Sequence, residues 1–257
     1  MERLAAFLGR AGRGARASGL RVPAPETYDR RMGYLTIEEP WARPPERTSP
    51  AVGAVWSDTP ALSVDFDLGE LSWQRLDSAT IDLDGLGRLD IDHCHLKNVV
   101  FVHAEGTEVF VSESIVEGSD LSRLALVSVA ECAINGSKLV GTDFSGNVIR
   151  DTDVDGCVLR LANLRMTMLQ RVAFAGCTIE DVDAYGAEFE DVSLHDCTVS
   201  ALSIDRATAT RVDLRGSAPL DLTGVGRLDG FLVADDQLFA LAAQLAVAAG
   251  LTIEAQP

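Results

Sequence analysis

The chain has 257 residues, 47% of them apolar and 24% charged, with a formal net charge of −17. That is enough apolar material for one sizeable core or a repeat array, and no run approaches the ~18 uncharged apolar residues that a membrane-spanning helix needs. So acidic a body repels nucleic acid; direct nucleic-acid binding is not expected, and a charged partner should be basic. Five cysteines, an odd number without a Cys-x-x-Cys pair, fit a reducing compartment. The apolar run from Leu4 to Leu8 is too short for a secretory signal. A soluble cytoplasmic protein is the expectation.

In chain order, residues 1–50 come first. They hold Pro23, Pro25, Pro40, Pro44, Pro45 and Pro50 with scattered Arg and Gly and no apolar period, and are read as mostly irregular. The nine arginines and six acids there give +3, so the remainder carries −20. Arg10, Arg13, Arg16 and Arg21 can meet an acidic surface, or the segment can have no role.

From Leu71 a period of five takes over. Its cleaner stretch runs Val129, Ile134, Leu139, Phe144, Ile149, Val154, Leu159, Leu164, Leu169, Phe174, Ile179, Ala184, Phe189, Leu194, Val199, Ile204, Ala209 and Leu214, all apolar. The positions two before each, among them Cys132, Thr142, Cys157, Ala162, Val172, Cys177 and Cys197, are never charged. With 24% charged residues overall, such a run does not arise by chance. Residues two apart in extended backbone point the same way, so each unit of five sends a large and a smaller side chain inward and three outward. Gly136, Gly141, Gly146, Gly156, Gly176, Gly186 and Gly216 sit two after the large residue, where the chain must turn. Each unit is one edge plus one corner, and four units close a square coil of about twenty residues. An earlier array, Leu71, Leu76, Ile81, Leu86, Ile91, Leu96, Phe101, Gly106, Val111, Val116, Leu121 and Leu126, is rougher and places Asp84 inward. Its phase differs by three, which predicts a bulge or small loop near residues 122–128.

Thr142-Asp143-Phe144-Ser145-Gly146, Ala162-Asn163-Leu164-Arg165 and Val212-Asp213-Leu214-Arg215-Gly216 follow the pattern A-(D/N)-L-x-x. Over about residues 71–216 the chain resembles the pentapeptide-repeat family, and the tail from Val225 to Ile253 resembles the C-terminal end of actinobacterial members. The inward small site departs from the pattern, being often Val, Thr or Cys instead of Ala. The resemblance implies an all-β fold: a right-handed quadrilateral β-helix over residues 51–216, followed by a cap at 217–257. It also implies a non-enzymatic protein that binds or scaffolds another protein. Some members mimic B-form DNA, bind type II topoisomerases such as DNA gyrase and protect them from inhibitors, and some dimerise through the C-terminal end.

An open β-helix end exposes core and unpaired backbone, so a cap is expected. Asp235 or Asp236 is read as the N-cap of a helix over about 235–249. Leu238, Leu241, Leu245 and Ala248 form its apolar face and Gly250 its terminator, with Leu251 and Ile253 pointing inward from a final strand. The other reading of this end is a homodimer surface.

Several side chains invite a functional reading. Cys157, Cys177 and Cys197 lie twenty apart and should stack in one inward column at about the strand spacing of 4.8 Å, as packing rather than a metal site, because a line cannot make a tetrahedron. His93 and His95 flank an inward Cys94 and, with Asp92, offer at most a weak metal site. Asp151, Arg171, Asp191 and Arg211, also twenty apart, should form an outer corner ladder of alternating charge, which interrupts the acidic stripe a DNA mimic needs. Arg150, Arg160 and Arg165 on the outer faces count against mimicry as well. There is no Walker A loop, G-x-S-x-G or H-E-x-x-H, and the run from Gly224 to Gly230 misses the dinucleotide spacing. The exposed pair His195 and Asp196 has no nucleophile in register. No catalytic, cofactor or metal residues are therefore expected.

Overall fold

The computed structural model describes residues 57–58 and 69–253. The expectation for residues 1–50 lies outside them. The described chain winds into a β-solenoid of about eight turns, every strand pair parallel, followed by one helix. From residue 138 the repeat is regular: Leu159 pairs with Ile179, Leu169 with Phe189 and Phe174 with Leu194, each twenty positions on. The long strands Val148–Asp155, Met168–Ala175 and Glu188–His195 each cover two sides, bending at Asp151, Arg171 and Asp191. Lys138–Val140, Val158–Arg160, Thr178–Asp183, Thr198–Ser203 and Leu220–Thr223 stack as a third side. Single bridges through Asp143, Asn163 and Asp183 make the fourth. The cross-section is thus quadrilateral, as expected.

The core follows the five-residue period closely. Every large position from Val129 to Leu214 is buried except Ala209, which is half-buried against the same core. The smaller inward positions complete it and also serve the corners, where the ladder leaves backbone groups unpaired. Ser119, Ser137, Cys157 and Ser217 accept N–H bonds from Val99, Ser119, Ser137 and Cys197, at 3.0–3.3 Å. Their donors go to carbonyls, as with Cys157 Sγ to Ile134 O and Ser217 Oγ to Leu194 O. A small side chain with a donor and an acceptor suits this position, because a buried unpaired backbone group costs about 1–3 kcal/mol.

The earlier coils depart from the expectation. Gly106 is exposed and Leu86 only half-buried, while Leu83, Leu89, Thr107 and Val109 fill the interior and Asp84 faces solvent. The reason is a wide corner. Tight turns at 84–85 and 105–106 push the chain outward before it returns to the wall, so the five-residue period slips out of register with the buried side chains. The phase change takes the form of a bulge, one of the two forms expected near residues 122–128, in a shortened coil. Glu108 lies beside Ala125, seventeen positions on, and Ser112 beside Ala130, eighteen on, with a one-residue bulge at Val127 between.

Strands also continue past residue 216, where the solenoid was expected to end: Leu220, Leu222 and Val225 remain in the core, and Phe231–Leu232 pairs with Val212 and Asp213. Gly224 and Gly230 of the dinucleotide-like run belong to this packing. A Cβ on Gly230 would stand 2.2 Å from Ala209 O, and one on Gly224 2.5 Å from Asp205 N. Only glycine lets the last turn lie so close.

Candidate binding faces

Successive coils stack their corners, so residues far apart in sequence form columns on the outside. One column runs Trp73, His93, Glu113, Glu131, Asp151, Arg171, Asp191, Arg211, all with left-handed backbone at φ of 45–57°. Arg171 clasps Asp151 through Nε and Nη2 at 2.5 and 2.8 Å, and Arg211 clasps Asp191 the same way. The predicted ladder therefore exists as two bidentate pairs. The guanidinium of Arg171 holds the Asp151 carboxyl below its usual range. Higher in the column, Arg150 reaches both Glu131 and Asp151, at 2.9 and 3.1 Å. At the top, Trp73 stacks on the His93 ring with centroids 4.1 Å apart. Nδ1 of that ring meets Asp92 at 2.8 Å and Nε2 meets Glu113 at 2.9 Å. His95 points elsewhere and pairs with Glu117 at 3.1 Å, so the expected grouping of His93 with His95 is not formed.

Arg165 binds Asp183 at 2.7 Å and lies over Tyr185, and Arg160 meets Glu180 at 3.4 Å. Asp155, Asp181, Glu188 and Asp196 form no ion pair among the described residues, and all but Asp181 lie on or beside the two walls that share the corner column.

The C-terminal helix, Asp235–Ala248, closes the last coil through one buried polar side chain, with an exposed bond from Gln244 Nε2 to Asp221 Oδ1 at 2.6 Å beside it. Gln237 Nε2 donates to the carbonyls of Leu214 and Ser217 at 2.8 and 2.7 Å, and its Oε1 accepts the Ala234 N–H at 2.7 Å. Ala234, not either aspartate, is the N-cap; Asp235 and Asp236 fill the first turn, where they favour the positive helix end. Leu241 is buried and Leu245 half-buried, but Leu238 and Ala248 face solvent, because contact with the coil is confined to the stripe through Gln237 and Leu241. Gly250 ends the helix as expected, with Leu251 N–H returning to Ala246 O and Gly250 N–H to Val247 O. Residues 251–253 form no strand, and Leu251 and Ile253 are exposed. With Leu238, Val247 and the 87% exposed Phe239, they leave the cap rich in uncovered apolar surface.

Residues 127–204 match the family model of the pentapeptide repeat region. Over that span the chain is a pentapeptide-repeat protein. Similar solved structures include full-length QnrB1, a plasmid-mediated fluoroquinolone resistance protein (15% identity, covering 68% of this chain and 96% of that one, TM-score 0.26). Another is HetL, a pentapeptide repeat protein involved in heterocyst differentiation regulation from the cyanobacterium Nostoc sp. strain PCC 7120 (18% identity, 60% and 81% covered, TM-score 0.26). No curated protein sequence matches the chain.

Within this pentapeptide-repeat body the thiols are held for structure. Cys157, Cys177 and Cys197 stack in the interior as expected, and all five cysteines are free and buried. Burial pushes the Cys94 thiol up to about 11 and that of Cys132 up to about 12. Within the stack the neighbouring Cys157 thiol, together with burial, raises Cys177 to about 11, while Cys157 beside Cys177 is lowered. His195 and Asp196 are both exposed. No helix among the described residues is long and apolar enough to cross a membrane.

Two residues that matter most escaped sequence reasoning. Gln237 carried no motif. Glu113 was missed because it stands one coil after His93, although the twenty-residue spacing that revealed the ladder also pairs 93 with 113.

Proposed function

We propose that this pentapeptide-repeat protein is a non-enzymatic, cytoplasmic protein-binding scaffold whose acidic walls dock on a basic protein surface. The supporting observation is that Asp155, Glu188 and Asp196 are left without ion pairs among the described residues, on or beside two adjoining walls that the parallel ladder holds in register. Acids fixed in register cost little entropy when a partner's Lys or Arg meets them, and opposite potentials speed encounter. The test is a capture from lysate with the whole chain and with a variant carrying Asp155→Lys, Glu188→Lys and Asp196→Lys, followed by titration of the purified captured protein. The reading expects a basic protein whose affinity falls at least tenfold in the variant and falls with salt. Equal binding by the variant would exclude the walls.

The second reading is a DNA mimic acting on DNA gyrase, favoured by the acidic solenoid and opposed by the self-paired corner column. A supercoiling assay with and without a fluoroquinolone separates the two. Inhibition or drug rescue by micromolar protein would place mimicry first, and no effect leaves the scaffold reading. The apolar cap suits a second copy of the chain, which sedimentation of the wild type against Phe239→Ser would show as loss of a dimer.

A further inference from the structure

The top of the corner column holds a constellation with different chemistry from the salt-bridged remainder. We infer that Asp92, His93 and Glu113 form a binding site for a divalent metal ion of zinc's class. One imidazole and two carboxylates are a donor set suited to zinc and its first-row neighbours. One donor atom from each residue lies within 4.8 Å of the others. With metal–ligand bonds of about 2.0–2.2 Å, tetrahedral donors stand roughly 3.3–3.6 Å apart, so the donors must draw together by about 1 Å and the carboxylate now on the other ring nitrogen must swing to the ion.

The fold positions each ligand. His93 and Glu113 are successive members of the corner column, brought together because the coils here advance by twenty residues. The His93 N–H donates to Ser112 O at 3.2 Å, which ties the two coils at this point. Trp73 lies flat on the imidazole, at an interplanar angle of 20°, and restrains the ring. The Ser112 hydroxyl donates to Asp92 Oδ1 at 2.6 Å and fixes the carboxylate, whose Oδ2 now meets His93 Nδ1 at 2.8 Å and would exchange that contact for the ion. Such outer supports are typical of metal sites, where second partners orient the ligands. The His93 and Glu113 side chains retain 24% and 48% of their exposure, so an ion can enter from solvent and keep water in its remaining positions.

The ion takes the lone pair of the ring nitrogen that carries no proton, and the two carboxylates offset the ion's charge. Because Asp92 and His93 belong to one coil and Glu113 to the next, the bound ion staples two early coils, where the five-residue pattern is least regular.

The experiment is calorimetric titration of ZnCl2 into the untagged, chelator-treated full chain at neutral pH. One saturable site is expected, weakened at least tenfold by His93→Ala and by Glu113→Gln and unchanged by His103→Ala. Glu113→Gln keeps side-chain size and corner backbone, and circular dichroism verifies that it folds. Cobalt supplies a second readout: its binding should quench indole emission, and Trp73→Phe should remove most of that quench while leaving the titration heat. Absence of saturable binding up to millimolar ZnCl2, or equal affinity in the His93 and Glu113 variants, would overturn the assignment and leave the cluster as an ion-pair network.

Discussion

Replacing Gln237 by alanine removes three hydrogen bonds at once from the end of the solenoid. The carbonyls of Leu214 and Ser217 lose their donor and the Ala234 N–H loses its acceptor. Both carbonyl bonds are buried, and helix and coil are in contact around them, so water does not simply replace the amide. At about 1–1.5 kcal/mol for each lost bond, the change costs about 3–4.5 kcal/mol. The substitution Gln237→Glu is expected to be at least as harmful at neutral pH, because an ionised carboxylate still accepts from Ala234 but faces two carbonyl oxygens without a proton to give. In a solenoid each turn contacts only its neighbours, so the loss falls first on the last coil and helix. The assay is urea denaturation followed by circular dichroism, together with amide exchange over residues 208–248. The expected result is faster exchange there, with the central coils unchanged at low denaturant. A Gln237→Ala protein within about 0.5 kcal/mol of wild type, with unchanged exchange at Leu214 and Phe231, would refute the plug.

Three further outcomes follow. Leu169→Ala, at a fully buried side chain in a regular coil, should cost about 2–5 kcal/mol in denaturant melts, whereas Leu161→Ala, at an exposed corner, should cost under about 0.5 kcal/mol. All five thiols should resist a water-soluble disulfide reagent at pH 8 in the native protein and react in 8 M urea, since each is buried; prompt titration of any thiol in the folded state would contradict the packing. The Asp151–Arg171 pair is part-exposed, so a double-mutant cycle with Asp151→Asn and Arg171→Gln should return no more than about 1 kcal/mol. Because the folded carboxyl titrates below its unfolded value, that contribution is present above the ordinary carboxylate range near pH 4 and is lost as the pH falls through the folded value.

Much of the fold was legible because two constraints coincide in the later coils. Side chains alternate in and out along each edge, and each corner consumes a fixed number of residues, so inward positions such as Leu159, Ile179 and Val199 recur without drift. The same regularity made the Asp151–Arg171 and Asp191–Arg211 pairs predictable from numbering alone. Where corner length varies, the pattern misleads. Leu86 and Gly106 satisfy the period yet lie at or beside a wide turn, and burial passes to Leu89 and Val109. At the cap, helical spacing alone could not show which stripe meets the coil. Leu238 and Leu241 look equivalent in sequence, but the carbonyls of Leu214 and Ser217 call for a donor, and Gln237 turns the helix to supply it. The metal-type cluster was half visible: Asp92 and His93 are adjacent, while Glu113 joins them only through the coil repeat.

The central claim, that the acidic walls are the docking surface, is tested most directly by zero-length coupling of carboxylates to lysines in the complex with the captured partner, read by mass spectrometry. Cross-links from Asp155, Glu188 and Asp196 to lysines clustered on one partner face are the predicted result. Cross-links confined to acids within residues 1–50, or to Asp235 and Asp236 on the cap, with none from the walls, would contradict it.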